Sequence, residues 1–357
     1  MNVHSFVTEM RDPVERGRRI GERWAEQIRH TTGLYLDFLP RVGVSPERVR
    51  RIGDDSLGAL EAWCPELAKE VMAMAAGADL PFWQLASLNA RTEILAAMPP
   101  TEGECSTSVF SPADGQPPRT LQTWDWHDSL APEGLLLQLT SRRGLTVKLF
   151  TEFGMLGKIG VNSAGLGLHF NILHHESDHD GGGVPVHAVA RRLLEEATSV
   201  QEAIDLARTA TLGASTVLTV FSCHDQAPKA ACIELSPAGV AAVPPREDGW
   251  LLHTNHFLDP VLSQGERTPD TLTTYDRLAH LEAMAGDMAS SDVRARAQAM
   301  CGSAGDRAPI CMHADMSLPD SERWETLISI GIDTRGGVLE YAAGNPAHLA
   351  SQGPQRF

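Results

Sequence analysis

The chain has 357 residues, 42% hydrophobic and 21% charged, with 30 basic against 46 acidic side chains and a formal net charge of −16. This is the composition of a soluble globular protein and excludes a mostly disordered chain. So acidic a surface disfavours phosphate backbones and anionic membranes, so neither a nucleic acid nor a membrane is an expected partner.

From residue 12 to 97 the sequence reads as helices. The first opens at Asp12-Pro13 and sets Ile20, Trp24, Ile28 and Tyr35 near helical spacing; the second covers 46–63; the third starts at Pro65-Glu66 with Leu67, Val71 and Met74 on one face; the fourth runs from Pro81 to about Met98. The polar run Pro99–Glu104 breaks the pattern, and after Cys105 strands take over. Short β-rich runs lie at 106–110, 120–126, 135–140 and 145–151, and two more flank a hairpin turn at Asn162-Ser163-Ala164-Gly165. In Leu166–Ile172 the apolar residues alternate with Gly167, His169 and Asn171, so Asn171 is expected on the face opposite Leu166, Leu168 and Phe170.

Two helices follow, Pro185–Ala197 and one opened by the capping box Ser199-Val200-Gln201-Glu202. Strands resume at 215–222, 230–236 and 239–243, helices start at Thr268-Pro269-Asp270 and about 291, and a hairpin closes the chain at Thr326–Asp333 and Gly337–Ala342. Strands that follow one another directly favour antiparallel sheets, and two sheets between helical layers would bury this set of elements. The fold class expected is α+β.

No apolar run reaches the ~18 residues of a membrane-crossing helix, and the start lacks the basic-then-apolar pattern of a signal peptide. Six cysteines without a CxxC pair point to reduced thiols and a cytoplasmic protein. Cys105 stands out because a strand start makes a thiol positionable and reachable, with a neighbouring side chain or a freed α-amine as its base; the competing reading is a small core residue. Asp125, between Trp124 and Trp126, reads either as a carboxylate in an apolar setting with a perturbed pKa or as a solvated edge residue. Asn255, in His253-Thr254-Asn255-His256, offers a carboxamide to an oxyanion or caps a turn. His169, His174, His175 and His179, with Glu176, Asp178 and Asp180, form the alternative chemistry, a metallohydrolase site, although Gly181-Gly182-Gly183 argues against a helix there.

Taken together, five segments resemble the acyl-CoA:6-aminopenicillanic acid acyltransferase family over about residues 11–346: Pro65–Gly77 with Leu88–Glu93, Gly103–Ser108, Thr123–Asp125, Lys158–Leu166 with Asn171, and His253–His256. Members of that family are autoproteolytic N-terminal-nucleophile (Ntn) hydrolases with a four-layer αββα sandwich. The resemblance implies self-cleavage between Glu104 and Cys105, Cys105 as nucleophile with its own α-amine as base, Asp125 beside that amine, Asn255 as oxyanion donor and Asn171 lining the site. It also implies a zymogen that divides into a helical segment 1–104 and a catalytic segment 105–357, the two staying associated as one folded unit.

Two departures stand out. Glu104 occupies the position of a glycine in the penicillin enzyme, which would slow self-cleavage, and a Pro pair lengthens the 114–118 loop. Arg267, Arg277 and Arg323 are candidates for a substrate-side arginine, each also readable as a surface residue. The function expected is an amidohydrolase or acyltransferase acting on a small-molecule linear amide, with no cofactor. The alternatives are an acyl-CoA-dependent N-acyltransferase, a non-cleaving binding member and the His-cluster metallohydrolase.

Overall fold

The computed structural model describes residues 1–96, 98, 104–224, 227–267 and 273–357. In chain order the elements are β1 (Asn2–Val7), α1 (Pro13–Arg23), α2 (Ala25–Arg41), α3 (Pro46–Trp63), α4 (Pro65–Gly77), α5 (Phe82–Asn89), α6 (Arg91–Ala96), β2 (Glu104–Phe110), β3 (Arg119–Trp126), β4 (Glu133–Thr140), β5 (Thr146–Thr151), β6 (Ile159–Asn162) and β7 (Leu166–Ile172). Then come α7 (Val186–Glu196), α8 (Val200–Ala207), β8 (Thr216–Ser222), β9 (Ala230–Ser236), β10 (Gly239–Val243), β11 (Trp250–His253), α9 (Thr274–Met284), α10 (Val293–Cys301), β12 (Glu325–Asp333), β13 (Val338–Ala343), α11 (Pro346–Gln352) and β14 (Gln355–Arg356).

The strands form two sheets. The larger has eight strands in the order β1-β4-β5-β6-β7-β8-β9-β10; the smaller has six in the order β11-β2-β3-β12-β13-β14. Among the described residues every pairing is antiparallel except β1 with β4. The sheets face each other through β2 and β7, α7 and α8 cover the larger sheet, and α9, α10 and α11 cover the smaller one. This is an α+β fold in four layers, αββα, as the order of elements leads one to expect.

Helices α1 to α6 pack beside this sandwich. Asp12 caps α1 by accepting from Val14 and Glu15 N–H, and Ser45 caps α3 through Arg48 N–H. Helices α1 and α4 approach so closely that a Cβ on Gly17 would lie 2.3 Å from the Glu70 carbonyl oxygen, which only glycine permits.

Three local expectations differ from the fold. The first helix breaks at Trp24 and the fourth at Ala90, each residue leaving helical geometry. The N-terminal segment also contributes a strand, β1, to the larger sheet. The break before Cys105 falls mostly at residues 97 and 99–103, and the helix start at Thr268-Pro269-Asp270 falls in 268–272; both lie outside the described residues. Among the described residues no helix is long and apolar enough to cross a membrane.

Candidate active site

Strand register places the candidate nucleophile. In the β2/β3 ladder Cys105 stands opposite Trp124, and Glu104 opposite Asp125. Alternation sends Cys105 and Thr107 to one face of β2 and Ser106 and Ser108 to the other. The Thr107 hydroxyl donates to Asn171 Oδ1 of β7 at 2.7 Å, so the Cys105 face is turned towards the larger sheet. Ser106 Oγ accepts from Arg277 of α9 at 3.0 Å, so the opposite face is turned towards the helices.

The Cys105 backbone is gripped on both sides. Its N–H donates to Asn255 Oδ1 at 2.8 Å, and its carbonyl accepts from Arg277 Nη1 at 2.7 Å and Asn171 Nδ2 at 3.2 Å. Arg277 Nη2 donates to the same Asn255 Oδ1 at 2.9 Å. Asn255 Nδ2 donates to the Ile172 carbonyl at 2.9 Å, and its backbone N–H donates to Thr274 Oγ1 at 2.8 Å. Two donors on one amide atom and a carbonyl on the other fix the orientation of the carboxamide. Asn255 therefore turns an acceptor, not an N–H, towards the Cys105 nitrogen.

Asn171 is equally committed. Its Nδ2 also reaches the His253 and Thr254 carbonyls at 3.3 and 3.1 Å, and its Oδ1 accepts from Gln122 at 3.1 Å. It ties β2, β3, β7 and the end of β11 together. Asp125 is fully buried, and Thr123 Oγ1 donates to its Oδ2 at 3.4 Å. Beside these groups lies a buried pair: His253 Nε2 is 2.8 Å from Glu234 Oε1, and that carboxylate also accepts from Leu258 and Asp259 N–H at 2.7 and 3.0 Å.

Burial pushes the Cys105 thiol up to about 12, and the Asp125 charge adds to it. A backbone hydrogen bond from Asp125 and the cations Lys158 and Arg277 work the other way. The thiol is thus protonated at neutral pH, and attack requires a base that takes its proton. Lys158 stands behind Trp124, its Nζ 3.4 Å from the ring centroid and 2.8 Å from Glu152 Oε2. Burial brings it down to about 7. Glu152 also accepts from the Tyr35 hydroxyl at 2.6 Å and from Arg91 at 2.9 Å, which joins the helical segment to this wall of the site.

Cys105, Asp125, Asn171 and Asn255 are thus brought together, and the Glu104 backbone begins the same strand as Cys105. The expectation of a reachable thiol is not met in the continuous chain, where Cys105 is only 2% exposed because β3, the larger sheet and α9 enclose it. Of the three arginines, Arg267 is exposed and Arg323 binds Asp128 and Asp320, whereas Arg277 is fully buried against Cys105. The histidine cluster does not converge. His175 Nδ1 meets Ser177, Asp178 accepts from Ser215, Asp180 pairs with Arg48 and Arg51, and His169 sits between the sheets beside Phe221. Among the described residues no three His, Cys, Asp or Glu side chains could hold a metal ion. The metallohydrolase reading loses its geometric basis.

An αββα sandwich with a buried cysteine at a strand start, flanked by a buried carboxylate and two committed carboxamides, defines a cysteine-centred site. The chain belongs to the acyl-coenzyme A:6-aminopenicillanic acid acyl-transferase family, whose model matches residues 114–348. That span contains Asp125, Asn171, Asn255 and Arg277; Cys105 lies just ahead of it, so the match is shorter at its start than the resemblance implies. The acyl-coenzyme A:6-aminopenicillanic-acid-acyltransferase 40 kDa form of Emericella nidulans is 30% identical over 223 residues, 61% of this chain. The chain spans 60% of the length of that curated relative. Among solved structures, penicillin V acylase from Agrobacterium tumefaciens matches at 15% identity and a TM-score of 0.46, over 71% of this chain and 85% of that one. The N-acylethanolamine-hydrolyzing acid amidase ortholog of Caenorhabditis elegans matches at 14% identity and a TM-score of 0.45, over 65% and 93%.

Proposed function

We propose that this protein is a self-cleaving cysteine Ntn enzyme that transfers acyl groups from linear amides through a thioester on Cys105. In the first step Cys105 Sγ attacks the Glu104 carbonyl carbon. The peptide C–N bond breaks, a thioester forms, and the released Cys105 nitrogen takes up the thiol proton. Water hydrolyses that thioester, which frees the Glu104 carboxylate, the thiol and an α-amine. An α-amine titrates near pH 8, which suits it to accept the thiol proton at neutral pH. Sγ then attacks the substrate carbonyl, the amine passes the proton to the leaving nitrogen, and water or an acceptor amine discharges the acyl-thioester.

The observation that carries the reading is the hydrogen bond from Cys105 N–H to Asn255 Oδ1. After cleavage the same acceptor would hold the new amine next to its own thiol, and Asp125, across the ladder from Glu104, would bias its protonation. Asn171 would hold the Cys105 carbonyl, and segments 1–104 and 105–357 would stay together through shared buried ion pairs. The substrate class is a small N-acyl or aminoacyl amide, a β-lactam side-chain amide included. The similarity to acyl-coenzyme A-dependent relatives makes an acyl-CoA donor with an amine acceptor the second reading.

Replacing Cys105 with Ala, in protein shown to be folded by its thermal melt, tests the assignment. Loss of both self-cleavage and turnover across a panel of N-acyl amides and acyl thioesters is expected. Turnover that survives the substitution would overturn it.

A further inference from the structure

We infer that Cys301 and Cys311 are a redox-modifiable pair, which a low-molecular-weight disulfide such as oxidised glutathione converts into a reversible intramolecular bond. Both thiols are free, and their sulfurs lie 3.7 Å apart although ten positions separate the residues. A disulfide needs about 2 Å, and rotation about the two Cα–Cβ bonds closes the difference. The pair closes a detour in the chain. Cys301 ends α10 and a turn, Gly302–Arg307, follows; Gly302 and Gly305, each at a φ of 57°, bend the backbone so that Cys311 meets the helix end again.

The two thiols are buried in an apolar layer with Met300, Ile310 and Leu349. Residues 302–307 contain no buried side chain, so local opening of that turn admits a small reagent. The thiols are not equivalent. With Cys311 as donor, their hydrogen bond lowers Cys301 against the opposing effects of burial and Asp306, and the same bond and burial raise Cys311. Cys301 is therefore the attacking thiolate. Its sulfur breaks the external S–S bond, forming a mixed disulfide and releasing one small thiolate. Cys311 then attacks the Cys301 sulfur and expels the second. Two electrons pass from the pair to the external disulfide, and the two protein thiol protons pass through solvent to the two released thiolates.

The bond reaches the candidate active site through one strand. Met312, next to Cys311, donates its N–H to Thr326 Oγ1 at 3.0 Å, and Thr326 N–H donates to the Met312 carbonyl at 3.1 Å. Thr326 stands opposite Asp125 in the β3/β12 ladder. At the other end, Arg296 of α10 donates to the Thr120 carbonyl of β3 at 3.2 Å. Oxidation thus staples α10 to the segment that leads into β12, beside the strand that carries Asp125.

The test incubates the native full-length protein with oxidised glutathione, alkylates the remaining thiols with iodoacetamide under denaturing conditions and digests with trypsin without reduction. Cleavage after Arg296, Arg307 and Arg323 separates the two cysteines, so the bond is read as peptides 297–307 and 308–323 joined in one species. That species is expected in most of the protein and should disappear with dithiothreitol. The oxidised protein should melt about 3 °C higher than the reduced one, the effect of closing a ten-residue loop in a chain of this size, and Cys311→Ala should lose the shift and carry glutathione on Cys301. Folded, oxidised wild type in which both cysteines are alkylated, or in which either joins a different cysteine in preference, overturns the proposal; so does a melt that oxidation leaves unmoved. If Cys311→Ala does not fold, the wild-type peptide map decides alone. Both cysteines lie in 105–357, so the readout is the same whether or not the chain divides at Cys105, and its failure is distinct from a failure of the Ntn reading.

Discussion

Asn255 Oδ1 lies 2.8 Å from the Cys105 backbone nitrogen, although the two residues are 150 positions apart in the chain. The acceptor is rigid because Asn255 commits its other amide atom to Ile172 and its backbone to Thr274. Asn255→Leu removes the acceptor and leaves Arg277 and the Cys105 N–H without it. Self-cleavage and turnover should both fall by about 10²-fold, the order expected when a positioned reacting group is released. Asn255→Asp, which retains an acceptor, should keep part of both. The rate of fragment appearance followed by mass checks this, and a loss below about threefold in the Leu variant would contradict it.

Buried charge joins the two segments. Glu70 of α4 receives Arg16 of α1 and Arg191 of α7, and Glu195 of α7 meets both arginines. Burial opposes the charged form of Glu70, but the two arginines outweigh it and hold its carboxyl below the usual range. A depressed carboxyl lends stability that is present above its unfolded value of 4.5 and is lost as pH falls through the lower folded value. The divided protein should therefore remain one species by gel filtration at neutral pH and come apart in acid. Glu70→Ala strands two buried guanidinium groups and should cost roughly 3–5 kcal/mol in a urea melt.

Glu93 supplies an opposite pH dependence. Its Oε1 accepts from Val186 N–H at the start of α7, and its Oε2 is buried with no hydrogen-bond partner among the described residues. Burial raises the carboxyl to about 8. A raised carboxyl contributes stability that is complete below its unfolded value of 4.5 and is lost as pH climbs to about 8. Glu93→Gln, neutral at every pH, should gain thermal stability relative to wild type as pH rises from 5 to 8, on the order of 3–4 kcal/mol by the upper end. A difference that stays constant with pH would contradict the assignment.

Glu152 is the hub of the helical segment's contact with the site wall, taking Tyr35, Arg91 and Lys158 together. Glu152→Ala removes the partner of two buried cations and should cost about 3–5 kcal/mol. Lys158, already brought down to about 7, would be expected to lose its proton in that variant; a melt near wild type at neutral pH would contradict the hub role.

What is legible in the sequence divides along physical lines. The strands around Cys105, the turn at Gly165 and the Ser199-capped helix α8 are readable because alternation, turn chemistry and caps are local. The short edge strands β1 and β14 are not, since neither carries a pattern beyond chance and both exist through pairing with distant partners. Motifs single out Cys105, Asp125, Asn171 and Asn255, but the direction in which Asn255 presents its amide depends on Ile172 and Arg277 and has no local signature. Arg277 reads either as a substrate-side arginine or as a surface residue, and neither reading sets it on the Cys105 carbonyl. Its burial comes from a carbonyl 172 residues away, and no spacing along the chain announces that.

The intact mass of the purified wild-type protein under denaturing conditions tests the central claim most directly. Division into two chains corresponding to residues 1–104 and 105–357, with a free amine on Cys105, is the predicted result. A single undivided chain that nonetheless turns over an amide would contradict it.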